Sequence, residues 1–360
     1  MTKPVPRSPK EVSVLVTARC NLACRHCSVY GDGPIEGDLP LDEWRAILAK
    51  LAQWKVLKLT VSGGEPMVRE DFVELVREMR ALPFRLSVNT NATLVTDEVA
   101  RALSEARPRL ESVMVSLDGA RPETHDAQRG PGVFERMAGG VERLLRAGVP
   151  VGFYCTVTAL NLGEVEGVAR WALSRGERIQ FVKFNDVLCV GRACTDGALG
   201  LRPSERREAG RRVAALADEL GPRVTGTLLD MHRFAEDILA GRAKPYPQGS
   251  RGCGAMRGRM SVWPDGRVTP CDRIPHFTVG NARTEELPAI WRSSASGEFR
   301  ALLATPICEV EGCAGCEYLA YCTGGCPVLP MREDWSGRGV LGRDPMGCVK
   351  AFIGEEVACG

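Results

Sequence analysis

Several things are missing from this chain of 360 residues, and each absence narrows what it can be. No apolar run reaches about 18 residues, so no membrane-spanning helix is expected. Residues Met1–Lys10 are polar and proline-rich and lack the apolar core of a secretion signal. Charge of one sign is also missing: 47 Lys and Arg stand against 45 Asp and Glu, a net charge of +2. Without a long basic run, nucleic acid is a poor partner. The Arg-rich stretch from Arg206 to Arg212 reads as one face of a solvated helix. These absences describe a cytoplasmic protein with neither a membrane nor a nucleic acid as partner. Hydrophobic residues make up 44%, enough to build one large domain and a smaller one.

What the chain has in excess is cysteine, 15 in all. In a reducing compartment that count argues against disulfides and for metal. Cys20, Cys24 and Cys27 form one group, spaced C-x3-C-x2-C. Cys253, Cys271, Cys308, Cys313, Cys316, Cys322, Cys326 and Cys348 crowd the last hundred or so residues, with Cys359 at the tail. Three thiolates from one loop can seize three corners of an iron–sulfur cube and leave one iron open. An open position separates a catalytic metal from a structural one.

Strand-like and helix-like segments alternate from the start. Strands are expected at Glu11–Thr17, Val56–Ser62, Arg85–Val88, Ser112–Leu117, Val151–Val157 and Arg178–Phe184. Helices are expected at Leu41–Trp54, Asp71–Met79, Thr96–Ala106, Val133–Arg146 and Leu162–Ser174. Such alternation implies βαβ units and a parallel sheet, and six units fit a partial barrel. Cys20–Cys27, Gly63–Pro66, Asn89–Asn91, Ser116–Gly119 and Asn161 each follow a strand, where barrel sites are built. Past Leu201 come the helices Pro203–Leu220 and Leu228–Ala240. Lys244–Ser250 reads as a linker, and Pro264-Asp265-Gly266 as the turn of a hairpin. After Cys253 turns and cysteines dominate, and a segment so poor in apolar residues needs metal to hold it.

With C-x3-C-x2-C followed by Gly63-Gly64-Glu65-Pro66, the chain resembles the radical S-adenosylmethionine (SAM) superfamily over essentially its whole length. The resemblance implies an α/β fold, a partial (β/α)6 TIM-like barrel followed by a small cysteine-rich SPASM domain. The implied boundaries are 1–200 for the barrel, 201–250 for a helical linker and 251–360 for the SPASM domain. In that family three thiolates, here Cys20, Cys24 and Cys27, hold a 4Fe–4S cluster whose open iron chelates SAM. Reductive cleavage then gives a 5′-deoxyadenosyl radical that takes a hydrogen atom from the substrate. The resemblance places Gly63, Gly64 and Glu65 on the SAM amino group, and Ser116 and Asp118 on polar groups that include the ribose hydroxyls. Asn89, Arg129 and Arg192 are weaker candidates for the same cofactor.

The later cysteines, in the order Cys253, Cys271, Cys313-x2-Cys316-x5-Cys322-x3-Cys326 and Cys348, resemble a SPASM domain with two auxiliary clusters. The order of spacings favours iron–sulfur over zinc. Cluster II then takes Cys313, Cys316, Cys322 and Cys348, and cluster I takes Cys253, Cys271 and Cys326. The fourth ligand of cluster I is Cys308 or is absent, leaving an open iron. The implied total is three 4Fe–4S clusters. Asp272, beside Cys271, matches a candidate general base of the anaerobic sulfatase maturases, and otherwise caps its turn. His26 is expected to pack over the first cluster, and His125, His232 and His276 to be structural. Cys155 is a strand-core thiol, and Cys189 and Cys194 lie in a loop near the rim.

The activity implied is hydrogen abstraction from a peptide or protein residue, leading to a crosslink or an oxidation, as in maturation of ribosomal peptides. Its partners would be that substrate, a separate peptide-recognition protein and a reductant such as flavodoxin or ferredoxin. The alternatives are a radical SAM enzyme of small-molecule biosynthesis and a non-catalytic electron carrier. In either enzyme reading, the C-terminal clusters would close the mouth of the rim.

Overall fold

The computed structural model describes residues 5–29, 37–194, 196–245, 251–331, 342–344 and 347–354. Cys359 and most of the Lys244–Ser250 stretch lie outside the described residues, as does the side chain of Cys194.

Six strands form the parallel heart: β1 (Glu11–Leu15), β2 (Lys58–Ser62), β3 (Arg85–Thr90), β4 (Leu110–Ser116), β5 (Val151–Val157) and β6 (Ile179–Asp186). Between them run α1 (Leu41–Gln53), α2 (Phe72–Ala81), α3 (Asp97–Glu105), α4 (Pro122–Arg129), α5 (Val133–Arg146) and α6 (Val165–Leu173). The six pair in chain order, each parallel to the next, as a partial barrel requires. Local signals account for most helix ends. Trp44, Ile47, Leu48 and Leu51 make the buried stripe of α1. The Thr96 hydroxyl accepts from Val99 N–H and caps α3, an interaction of about 1 kcal/mol. The helix α4 was not expected; it is polar, and its short span shows little apolar period.

The two faces of the strands differ. Val12, Val14, Leu59, Val61, Leu86, Val88, Val113, Val115, Phe153, Cys155, Val182 and Phe184 belong to the buried core. Between them stand Ser13, Thr60, Ser62, Asn89, Ser116, Thr156, Lys183 and Asn185, each only partly buried. Bulky apolar layers usually fill the inside of a parallel barrel. Small polar residues leave this inner face able to take a ligand. Gly152 opposes Phe181, and a Cβ there would lie 2.4 Å from the Phe181 ring, so the ring covers the sheet at that level. The Lys183 ammonium sits 4.8 Å from the Phe181 ring centre and 5.3 Å from that of Tyr154.

The chain continues through α7 (Pro203–Leu220), β7 (Val224–Thr225) and α8 (Thr227–Leu239). Here the solvated-face reading fails at one position. Arg206 is buried and pairs with Asp186 at the end of β6, while Arg211 and Arg212 pair with Glu208 on the outer side. A single inward arginine within a run of charged ones is invisible to composition.

The last part departs further from expectation. β8 (Arg259–Val262) and β9 (Arg267–Thr269) form the hairpin around Pro264-Asp265-Gly266, with Gly266 in the left-handed region at φ +85°. β10 (Gly280–Asn281) follows on the outer edge. The hairpin is no separate body: β8 pairs parallel with β1, Glu11 opposite Arg259, giving one ten-stranded sheet from β10 to β7. Two helices not expected from the sequence, α9 (Leu287–Arg292) and α10 (Ser294–Ala304), supply buried Trp291, Phe299 and Leu303. This part therefore has an apolar core of its own. The helices are too short, and meet too closely at Ser293, to show a clear helical period. Two four-residue helices, α11 (Val328–Met331) and α12 (Lys350–Ile353), complete it, and α12 lies against α7 and α8.

Candidate active site

The loop Cys20–Cys27 leaves the end of β1 and is stitched to three other rim segments. Asn21 bonds to Thr93 and accepts from Asn91, both just past β3. Arg25 N–H donates to Gln128 in α4, and Arg192 N–H donates to the Cys27 carbonyl from the turn after β6. Arg25 also pairs with Asp196 at 2.7 Å. The turn Cys24–Cys27 is closed by Cys27 N–H on the Cys24 carbonyl. Asn21 is a loop residue that spacing alone did not mark.

Burial pushes the Cys20 thiol up to about 11 and raises that of Cys24, partly offset by Leu22 N–H on Cys20 and by Arg129 beside Cys24. Thiolates in such a place need positive charge, and the Arg129 guanidinium supplies some, with Nη1 3.8 Å from Cys24 Sγ. The donor set suits an iron–sulfur cluster, whose usual ligands are thiolates. Among the described residues no three His, Cys, Asp or Glu side chains converge on a single-ion site. The thiolates of a cube each hold a different iron and need no such convergence.

Asp118 is the hub beneath this loop. It is wholly buried: Oδ2 accepts from Arg129 Nε at 2.5 Å, and Oδ1 accepts from Thr156 N–H at 2.8 Å. Asn161 and Gln128 donate to its carbonyl, and its own N–H donates to His125 Nδ1. Burial is the largest influence and works against the charged carboxylate, but Arg129, His26, His125 and Thr156 N–H together outweigh it and hold the pKa below the usual range. Both oxygens are thus taken up within the protein. His26 Nε2 lies 3.2 Å from Asp118 Oδ2 and from Arg129 Nη2, and burial draws its pKa down to about 4, so it is neutral near pH 7. His26, itself in the cysteine loop, closes this buried triad.

Glu65 is turned inward as well. Its carboxylate accepts from Met67 N–H, Thr90 Oγ1 and Asn91 N–H, tying the turn after β2 to the end of β3. Burial nonetheless pushes its pKa up to about 7. Gly63 is needed for packing: at φ +147° its missing Cβ would meet the Thr17 carbonyl at 2.5 Å. The Gly64 N–H bonds to that same carbonyl. What the rim leaves available is Ser116, partly buried at the end of β4, and Asn89, whose Oδ1 is buried with no hydrogen-bond partner. An orphaned acceptor on the polar face fits a ligand that brings a donor, such as the amino group of SAM.

Cys313, Cys316, Cys322 and Cys348 line one small cavity with Ile307 and Leu319. The four that the resemblance assigns to one cluster are therefore together in space. Cys253 and Cys326 are close enough to interact electrostatically, and Cys271 is partly buried with its thiol donating to Asp272 Oδ1 at 3.2 Å. Cys308 is exposed on the turn Ile307–Glu309, next to the four-cysteine cavity. Cys155 is a core thiol, 1% exposed.

Cys271 lies toward the end of the sheet away from the rim. Continuing the β8–β9 register brings Cys271 level with Arg259, hence with Glu11 at the start of β1. Cys20–Cys27 lies beyond the other end of β1, displaced by roughly 20 Å along the strand direction. Asp344, which accepts from Cys326 N–H at 2.7 Å, feels Asp186 at the end of β6.

Known proteins resemble this chain in its domains and in its overall fold. The profile of the Radical SAM superfamily matches residues 14–172, and that of the SPASM iron–sulfur cluster-binding domain matches 253–317. An AdoMet-dependent heme synthase of Methanosarcina barkeri is 30% identical over 88% of this chain and 91% of its own. The mycofactocin maturase MftC of Mycobacterium ulcerans is 29% identical over 94% and 87%. Streptococcus suis SuiB, solved with its precursor peptide SuiA, shares the fold at a TM-score of 0.73 and 17% identity, over 95% of this chain and 76% of its own.

Proposed function

This chain belongs to the radical SAM superfamily and is an enzyme; we propose that it abstracts a hydrogen atom from a peptide or protein residue and completes an oxidation or a crosslink. The observation that supports this reading is the union of β8 with β1, which joins the C-terminal cysteine region to the sheet that carries the N-terminal cysteine loop. One group initiates, and the other is placed to accept an electron from the substrate. When bound on the N-terminal cluster, SAM supplies a 5′-deoxyadenosyl radical on one-electron reduction.

In this reading Cys20, Cys24 and Cys27 hold the first cluster. Arg129, fixed by Asp118 and His26, presents its charge beside Cys24 to a carboxylate. Asn89 Oδ1 and the backbone at Gly63–Gly64 receive the amino group, and Ser116 and Arg192 complete the rim. Asp118 and Glu65 act by positioning Arg129 and the β2–β3 turns. Cys313, Cys316, Cys322 and Cys348 hold one auxiliary cluster. Cys253, Cys271 and Cys326 hold the other, with Cys308 or an open iron as its fourth position. Asp272 takes the proton that a substrate radical loses as it becomes a closed-shell product. The maturase relative and SuiB, solved with its precursor peptide, support a peptide as substrate; in this reading a recognition protein delivers it and a flavodoxin or ferredoxin supplies electrons. The heme synthase relative supports a second reading, a small carboxylated substrate.

Anaerobic incubation with SAM and dithionite is expected to release 5′-deoxyadenosine, and its failure would sink both readings. Co-expression with a short peptide encoded beside this chain is expected to change that peptide's mass by loss of hydrogens. An unchanged peptide, with a small carboxylated molecule consumed instead, would select the second reading. Asp272→Asn should keep 5′-deoxyadenosine release while slowing product formation by about 10²–10⁴-fold.

A further inference from the structure

Arg251 is among the largest fully buried side chains of the molecule, 1% exposed. A buried guanidinium is costly unless anions surround it. Its Nη2 donates to the Gly342 carbonyl at 2.5 Å, but Nε and Nη1 are buried with no hydrogen-bond partner. No carboxylate among the described residues lies within ion-pair distance. Asp344 is in electrostatic reach, yet its Oδ2 is occupied by Cys326 N–H.

The groups around this cation are thiols from both auxiliary sets: Cys253 and Cys326 from one, Cys313 and Cys322 from the other. The backbone makes room for it. Gly324 lies between Cys322 and Cys326 at φ +77°, and a Cβ there would stand 2.9 Å from Arg251 Cγ and 3.4 Å from Nε. The Arg251 backbone is fixed on both sides, its N–H on the Leu303 carbonyl and its carbonyl under Arg257 Nη1 at 2.9 Å. The side chain is therefore held with two free N–H groups among the cysteines of two sites.

We propose that Arg251 is a positioning residue shared by the two auxiliary clusters, whose Nε–H and Nη1–H donate to their sulfur atoms and hold their reduction potentials up. This rests on the reading that both cysteine sets bind iron–sulfur clusters. Net charge and hydrogen bonds to sulfur are main determinants of a cluster's potential. A fixed cation with two donors favours the reduced, more negative state. It does so at both sites at once, which suits clusters that receive an electron from the substrate.

The test is a potentiometric titration followed by electron paramagnetic resonance, in a Cys20/Cys24/Cys27→Ala background that isolates the auxiliary sites. Iron and sulfide are measured first. Their absence from this background variant would overturn the cluster reading itself. With iron present, Arg251→Met is expected to make the auxiliary clusters at least tenfold harder to reduce at a fixed potential, about 59 mV for one electron. Arg251→Lys, which keeps the charge without the fork of donors, should fall between. An unmoved midpoint in Arg251→Met overturns the proposal, even if thermal stability drops, because a purely structural arginine would behave that way. If Arg251→Met holds no iron, Arg251→Lys decides: a lowered midpoint supports the proposal and an unmoved one overturns it.

Discussion

The barrel and the C-terminal cysteine region solve the same problem by different means. In the barrel, strands of five to eight residues carry apolar side chains on one face, under helices with continuous apolar stripes. Its polar groups are paired inside: Asp118 with Arg129, and Glu65 with the backbone of the next turn. In the cysteine region the strands run to two to four residues, and two of the helices to four. It has a small apolar core around Trp291 and Phe299, but it also leaves a buried guanidinium with free donors. The lesson is that the barrel is a structure onto which a cluster is added, whereas the cysteine loops are a structure that clusters complete.

The largest effect is expected where that contrast is sharpest. Replacing Cys20, Cys24 and Cys27 together by alanine should abolish 5′-deoxyadenosine release and keep about two thirds of the iron, if three clusters are bound. Circular dichroism should show the barrel still folded. Retention of all the iron would show that the N-terminal loop is not a cluster site.

Arg129→Met tests the internally paired side of the comparison. It leaves Asp118 buried and uncompensated, at a cost of about 3–5 kcal/mol in denaturant unfolding. A loss below about 1 kcal/mol would show that Asp118 finds other support. The smallest effect concerns the seam between the regions. Burial raises the Asp186 carboxyl to about 6 from 3.8, Arg206 opposing. Between those values the folded protein holds a proton that the unfolded chain releases, so stability falls as pH rises through that window and is then level. Asp186→Asn should flatten this slope in urea titrations from about pH 4 to 6, and a slope that persists unchanged would assign it to another group.

Much of this was legible in the residues. β5 and α5 have the expected limits, and the other barrel elements differ by a few residues at their ends. The polar alternation inside the strands, as in Leu86-Ser87-Val88-Asn89, marks the polar inner face. The short helices α9 and α10 were not legible, because Pro288 and Ser293 break their period. Nor was the inward turn of Arg206, one arginine among several.

The sequence by itself determined which thiols share a loop and which residues stand at strand ends, because those properties are local and fixed by spacing. The tertiary structure alone decided how the distant groups meet. It closed Asp118 on Arg129 across 11 positions, laid β8 on β1, and drove Arg251 between two sets of cysteines. The physical reason is that such pairings follow from burial and register across the whole sheet, and no local pattern of residues encodes them.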